Sequence, residues 1–187
     1  MGEDRHLPKS ISLDEMRTKH PLLYEKCFDC SVGGGWRILV ESLNDRLIDY
    51  NSREDNEEFH FQVHQVKEKF GGLRYYYRGG NPDDDLQSSP HSKYMWKSNN
   101  IKHSVYALEA LSYRICERCG APAQQYDDGW IMTACLPCRV RYLEGSRERT
   151  LGYISKYPED EHYKSSLKNI DEQLTKLRTK QKKEHDR

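Results

Sequence analysis

The chain has 187 residues, enough for one ordinary domain with extensions and too short for two full ones, and with 35% hydrophobic and 32% charged residues some of that length is expected outside the core. Its 30 Lys and Arg balance 30 Asp and Glu, which excludes a global field able to hold a polyanion or an anionic membrane; any nucleic-acid interaction must come from a local patch. No apolar run reaches the length of a membrane span and the N-terminus lacks the apolar stretch of a signal peptide, so a cytoplasmic protein is expected, with no membrane partner.

Residues 1–20 are polar, with His6, Lys9, Arg17, Lys19 and His20 but few core formers. They are expected as a loose N-terminal arm containing at most a short helix from Ser12. An α+β core is expected over residues 21–113. From Trp36 to Tyr50 the set Trp36, Leu39, Val40, Leu43 and Leu47 follows the spacing of one helix face. Gly33-Gly34-Gly35 ahead of it is a flexible lead-in whose backbone can approach a neighbour closely.

Between Phe59 and Tyr77 the period changes to two. Phe59, Phe61 and Val63 share one face, His60, Gln62 and His64 the other, and Leu73, Tyr75 and Tyr77 repeat the alternation beyond Gly71-Gly72. This predicts a β-hairpin. On a strand His60 and His64 stand about 13 Å apart, too far to share an ion. The stretch from Gly79 to Pro90 is dense in breakers and acid and reads as a surface loop. A second amphipathic helix is expected from about Asn99 to Tyr113, with Ile101, Val105, Leu108 and either Leu111 or Ser112 facing the core.

Residues 114–143 read as a zinc-ribbon-like lobe. The spacing Cys116-x2-Cys119-x15-Cys135-x2-Cys138 allows two tight knuckles to aim four sulfurs at one tetrahedral ion. Four thiolates leave no position for water or substrate, so the single zinc would be structural. Asp128-Gly129 marks a hairpin turn between the knuckles, and Trp130 is expected as a core cap of this small lobe. Arg139 to Leu143 reads as a short helical turn. Residues 144–187 form a C-terminal helical extension; from about Glu159 the series Leu167, Ile170, Leu174 and Leu177 makes a seam of about two heptads that needs a partner or the core.

Two weaker constellations remain. Cys27 and Cys30 are half a tetrahedral site, which leaves two readings: a second zinc completed by His20, His60 or His64, or two free thiols. Lys67, Lys69 and Arg74 surround a glycine turn beside tyrosines, and Arg114, Arg118, Arg139 and Arg141 flank the zinc ligands. Lys67, Lys69, Arg74, Arg118, Arg139 and Arg141 are candidate anion- or partner-binding residues; ordinary turn charges for the hairpin and compensation of the thiolate charge for the arginines are the alternative readings. No Gly-x-Ser-x-Gly, phosphate loop or His-Glu-x-x-His occurs, so no catalytic residue is assigned.

Cys30 with Gly35-Trp36, the run Gln65 to Tyr76, and Cys116 to Cys138 with Gly129-Trp130 follow one another in an order that resembles a family of small, mostly uncharacterised phage and bacterial proteins. The resemblance covers about residues 21 to 140; the family's Gly-Asp-Gly before the tryptophan is replaced here by Val32-Gly33-Gly34-Gly35, so the resemblance carries over no role for that Asp. It implies one unit ending in a zinc knuckle pair, in a phage or prophage setting and hence a host cytoplasm, and brings no activity.

The leading functional expectation is a non-enzymatic zinc-containing module that presents a basic hairpin and a zinc lobe to nucleic acid or a nucleic-acid-associated machine. The alternatives are a modulator or inhibitor of a host protein complex, with self-association or partner docking through the C-terminal helix, and a nuclease-like or hydrolytic enzyme.

Overall fold

Period-two alternation produces the sheet that organises the first part of the chain. The structure is a computed structural model and describes residues 7–53, 60–79 and 95–185. These fall into two units, Met1–Ala134 and Cys135–Arg187, and are α+β as expected. His6, Phe59 and the acidic loop from Gly80 to Pro90 lie outside the described residues.

In the first unit β1 (Ile11–Ser12), β2 (Asp29–Val32), β3 (Gln62–Lys69) and β4 (Gly72–Arg78) form a mixed sheet in the order β1-β2-β3-β4. β2 runs parallel to β3, and the other pairs are antiparallel. Phe70 and Gly71 join β3 to β4 with φ of 54° and 73°, the left-handed pair that a two-residue hairpin turn requires. Glycine adopts this freely, whereas Phe70 does so at a cost of about 1–2 kcal/mol. Glu68 Oε1 steadies the turn by accepting a hydrogen bond from Gly71 N at 2.6 Å.

The register of β3 shifts between Val63 and Gln65. One extra residue moves the inward set from odd to even positions. Val63 and Val66 are therefore both fully buried, while Gln65 and Lys67 lie on the other face beside their cross-strand partners Tyr76 and Arg74.

The core side of the sheet packs on α2 (Arg37–Asn51) and α3 (Met95–Ser112). Leu39, Val40, Leu43 and Leu47 form the buried stripe of α2 that their spacing predicts, and Ile101 and Val105 of α3 join the same cluster. Of the two residues expected to close the stripe of α3, Ser112 is buried and Leu111 exposed. Ser112 Oγ accepts from Leu73 N, and Glu109 Oε1 accepts from Tyr75 N. Side chains of α3 thus satisfy backbone donors of β4 that no strand pairs.

Residues 7–20 correct the expectation of a loose arm. Ser12 does cap a short helix, α1 (Leu13–Lys19), accepting from Glu15 N at 3.3 Å. But Ile11 pairs with Val32 in the sheet, and Ile11 and Met16 are 1% and 0% exposed. The segment has few apolar residues, and long-range pairing places the ones it has in the core.

In the second unit α4 (Leu136–Lys156) and α5 (Glu161–His185) form an antiparallel helical hairpin, crossed by ion pairs from Arg147 to Asp171 and from Arg178 to Glu144. Its core is small: Val140, Leu143 and Leu174 are buried, with Leu136, Tyr142, Ile170 and Leu177 against them. The turn expected at 139–143 is the start of a 21-residue helix, since Pro137 sits in its first turn and packing on α5 outweighs the weak propensity of Gly145 and Gly152. The seam of α5 has its partner in α4.

Candidate metal centre

The first knuckle is held by backbone. Cys116 N donates to Ala121 O and Gly120 N to Cys116 O, both at 2.8 Å, closing a tight turn in which Gly120 has φ 78°. The glycine run before α2 lies directly against it. Gly35 N donates to Glu117 O at 2.7 Å, Gly33 N to Glu117 Oε1 at 3.1 Å, and Trp36 Nε1 to Ile115 O at 2.8 Å. A Cβ at Gly35 would stand 2.1 Å from Cys116 O, so the close approach anticipated for this run is real and its neighbour is the knuckle.

Between the knuckles β5 (Gln124–Tyr126) and β6 (Met132–Ala134) pair as an antiparallel hairpin. Thr133 Oγ1 donates to Gly71 O at 2.6 Å, Gln125 Nε2 to Phe70 O at 2.7 Å, and Glu117 N to Thr133 O at 3.2 Å. The β3–β4 turn, the first knuckle and this hairpin are thereby linked. Trp130, expected as a cap, is 68% exposed. β6 begins two residues after it, at Met132, which is buried in its place.

Cys135 is the N-cap residue of α4, and Cys138 lies in the first turn. The ligand atoms of Cys116, Cys119, Cys135 and Cys138 all lie within 4.8 Å of one another, with Cys116 and Cys138 buried and the other two half-buried. Sulfurs around a tetrahedral ion with metal–sulfur bonds of about 2.3 Å stand about 3.8 Å apart, so this group fits one ion. Among the described residues it is the one cluster of three or more Cys, His, Asp or Glu that could hold a metal. Four thiolates around one four-coordinate ion would leave no place for substrate.

Cys27 and Cys30 stand apart from it, 1% and 3% exposed within the hydrophobic core. Cys27 Sγ donates to Asp29 O at 3.3 Å. Burial pushes both thiols up, Cys30 to about 12. Of the histidines weighed as completing ligands, His20 Nε2 stands 3.2 Å from Glu41 Oε2, and His64 packs edge-on against Phe28.

The hairpin cations do come together. Lys67 is directly opposite Arg74, and Lys67 Nζ stands 5.4 Å from the centre of the Tyr76 ring. Arg74 Nη2 donates to Tyr113 OH at 2.7 Å, and Lys69 Nζ stands 5.3 Å from the Phe70 ring. The arginines divide. Arg118 is half-buried and Arg141 exposed, but Arg139 is 1% exposed, donates from Nη2 to Gln173 Oε1 at 3.0 Å and stacks over Tyr142. Burial takes Arg139 off the surface expected to meet an anion.

Sequence reasoning missed Tyr113. Its ring fills the space of the absent Gly72 side chain, with Cζ 2.4 Å from where a Cβ would be. The signal was present, because a glycine inside a strand and not needed for its turn marks a close approach.

The fold and this donor set define an α+β protein with a four-cysteine group able to hold a metal ion. Comparison of the chain with protein-family models, with curated proteins and with solved structures finds no match. No helix among the described residues is long and apolar enough to cross a membrane.

Proposed function

We propose that the chain is a non-enzymatic binding module in which zinc, held by Cys116, Cys119, Cys135 and Cys138, fixes the knuckles, and the outward face of β2, β3 and β4 meets nucleic acid or a nucleic-acid-associated machine. Four thiolates at these spacings suit zinc, a borderline-soft ion with no demand beyond the tetrahedron. One zinc per chain by elemental analysis is the expected result.

The observation that carries the nucleic-acid reading is the pairing of Lys67 with Arg74 across the hairpin, away from the core. Like charges directly opposite one another oppose folding. Glu109 already attracts the Arg74 charge, and a phosphate backbone laid over the pair adds counter-charge that also reaches Lys67. A salt titration of binding to DNA and RNA tests this: affinity should fall linearly on a log–log plot as salt rises, and no affinity even at low salt refutes it. The family resemblance adds a phage or prophage setting to the proposal.

A protein partner is the second reading, favoured by the second unit. Tyr163 stacks on Tyr153 at 5.2 Å and on Tyr157 at 6.3 Å between ring centres, and Tyr153 and Tyr157 are 47% and 56% exposed. Tyrosine-rich surfaces suit protein interfaces. Capture from a nuclease-treated host lysate separates the readings, since a protein retained without nucleic acid supports the second and a capture carrying nucleic acid alone counts against it.

A further inference from the structure

The outward face of the sheet carries aromatic rings as well as cations, and their order along β4 is informative. Side chains alternate across a strand, so positions 72, 74 and 76 share one face at intervals of about 7 Å. Position 72 has no side chain of its own, and the Tyr113 ring takes its place. Arg74 follows, bound to the Tyr113 hydroxyl and opposite Lys67. Tyr76 comes next, 42% exposed, with Lys67 Nζ over its ring. The face therefore reads ring, cation pair, ring.

From this arrangement we propose that the ligand is single-stranded rather than double-stranded nucleic acid, an inference that rests on the nucleic-acid reading above. In a duplex the faces of the bases are covered by their neighbours, and a protein reaches only phosphates and base edges in the grooves. An exposed ring such as Tyr76 lying in the face of a sheet adds nothing to duplex binding, and Tyr113 beside it is half-buried. On a single strand each base offers a free face, and a base stacked on an aromatic ring is worth about 1–3 kcal/mol whatever its identity. Tyr76 supplies such a ring at the surface, and Lys67 and Arg74 lie between it and Tyr113, where the phosphates joining two stacked bases would run. Gln65, the neighbour of Tyr76 across the strands, is engaged through Nε2 with Asp29 Oδ2 at 3.1 Å. Its amide is thus less able to read a base edge, and a weak sequence preference is expected.

The test is fluorescence anisotropy with the full metal-loaded chain, using labelled oligo-dT and oligo-U and a mixed-sequence DNA duplex of equal length, at low salt. Single strands should bind about tenfold or more tighter than the duplex, the equivalent of one stacked base. Tyr76→Ala should weaken single-strand binding about tenfold and leave duplex binding unchanged, while Tyr76→Phe retains affinity. Lys67→Gln should weaken both and lower the salt slope by about one. Far-UV circular dichroism and metal content establish that each variant is folded, which the exposure of Tyr76 favours. Equal or tighter duplex binding, or a Tyr76→Ala variant with unchanged single-strand affinity, overturns the single-strand proposal and leaves the nucleic-acid reading standing. Absence of binding to every probe overturns both.

Discussion

Asn44 sits on the buried stripe of α2, fully enclosed between Val40 and Leu47 in the helix register. Its Oδ1 accepts from Tyr24 OH at 2.9 Å and from Tyr75 OH at 2.7 Å. Burial raises both phenols, so these hydroxyls stay protonated and need their acceptor. Asn44→Leu keeps the branched shape, with somewhat more bulk, and removes the acceptor for two buried donors, and should lower stability by about 2–4 kcal/mol in urea denaturation. A cost below about 1 kcal/mol would show that the hydroxyls find other partners.

Glu41 lies on the same helix. Burial works against its ionisation, but hydrogen bonds from Lys19 and His20 outweigh it and hold the carboxyl below its ordinary value of 4.5. A depressed folded-state pKa contributes stability that is fully present above 4.5 and lost as pH falls through the folded value. Glu41→Gln should therefore lower stability at neutral pH and flatten the decline of thermal midpoint below pH 4.5. Parallel pH profiles for the two proteins would remove Glu41 from that role.

Among the elements, the β3–β4 turn carries the clearest local conflict. Phe70 is 61% exposed and left-handed, so its ring is not held by the core and its backbone is strained. The main-chain links of the turn to Glu68 and Gln125 do not need the ring. Phe70→Asn, which tolerates this conformation, should raise stability by about 1 kcal/mol, seen as a higher urea midpoint at unchanged slope. A lower midpoint would mean that the ring packs on something worth more than the strain. The hairpin itself was legible because alternation and Gly71-Gly72 are local. The bulge after Val63 was not, since Val66 is the single apolar residue between His64 and Lys69 and only pairing with β4 shows that it shares the buried face with Val63. The full length of α4 was hidden for a related reason: Gly145 and Gly152 weaken its local signal, and the apolar face that compensates belongs to α5.

For the molecule as a whole, two parts differ in what holds them. The cluster from Ile11 to Val105 is an extensive core that includes all four strands of the mixed sheet. The hairpin between the knuckles buries only Tyr126, Met132, Thr133 and Ala134 among its strands, too little to fold unaided. Chelation, or Cys119→Ser, should thus open residues 117–134 to proteolysis and hydrogen exchange while the four-stranded sheet stays protected. Unchanged exchange in 117–134, with metal loss confirmed, would show that the links to Gly71 and Phe70 suffice without the ion.

The four clustered cysteines, the stripe of α2 and the strands about Gly71-Gly72 follow from the sequence alone, because each depends on spacing within a short segment: two residues between thiols, three and four along a helix, two along a strand. Tertiary structure alone decided that Ile11 is a strand residue, that β2 runs parallel to β3, that Arg139 is buried, that Trp130 is exposed and that Tyr113 lies over Gly72. Each of these depends on which distant segment supplies the partner surface. Local periodicity states which face of an element is apolar, and carries no record of what that face, or a polar one, will meet.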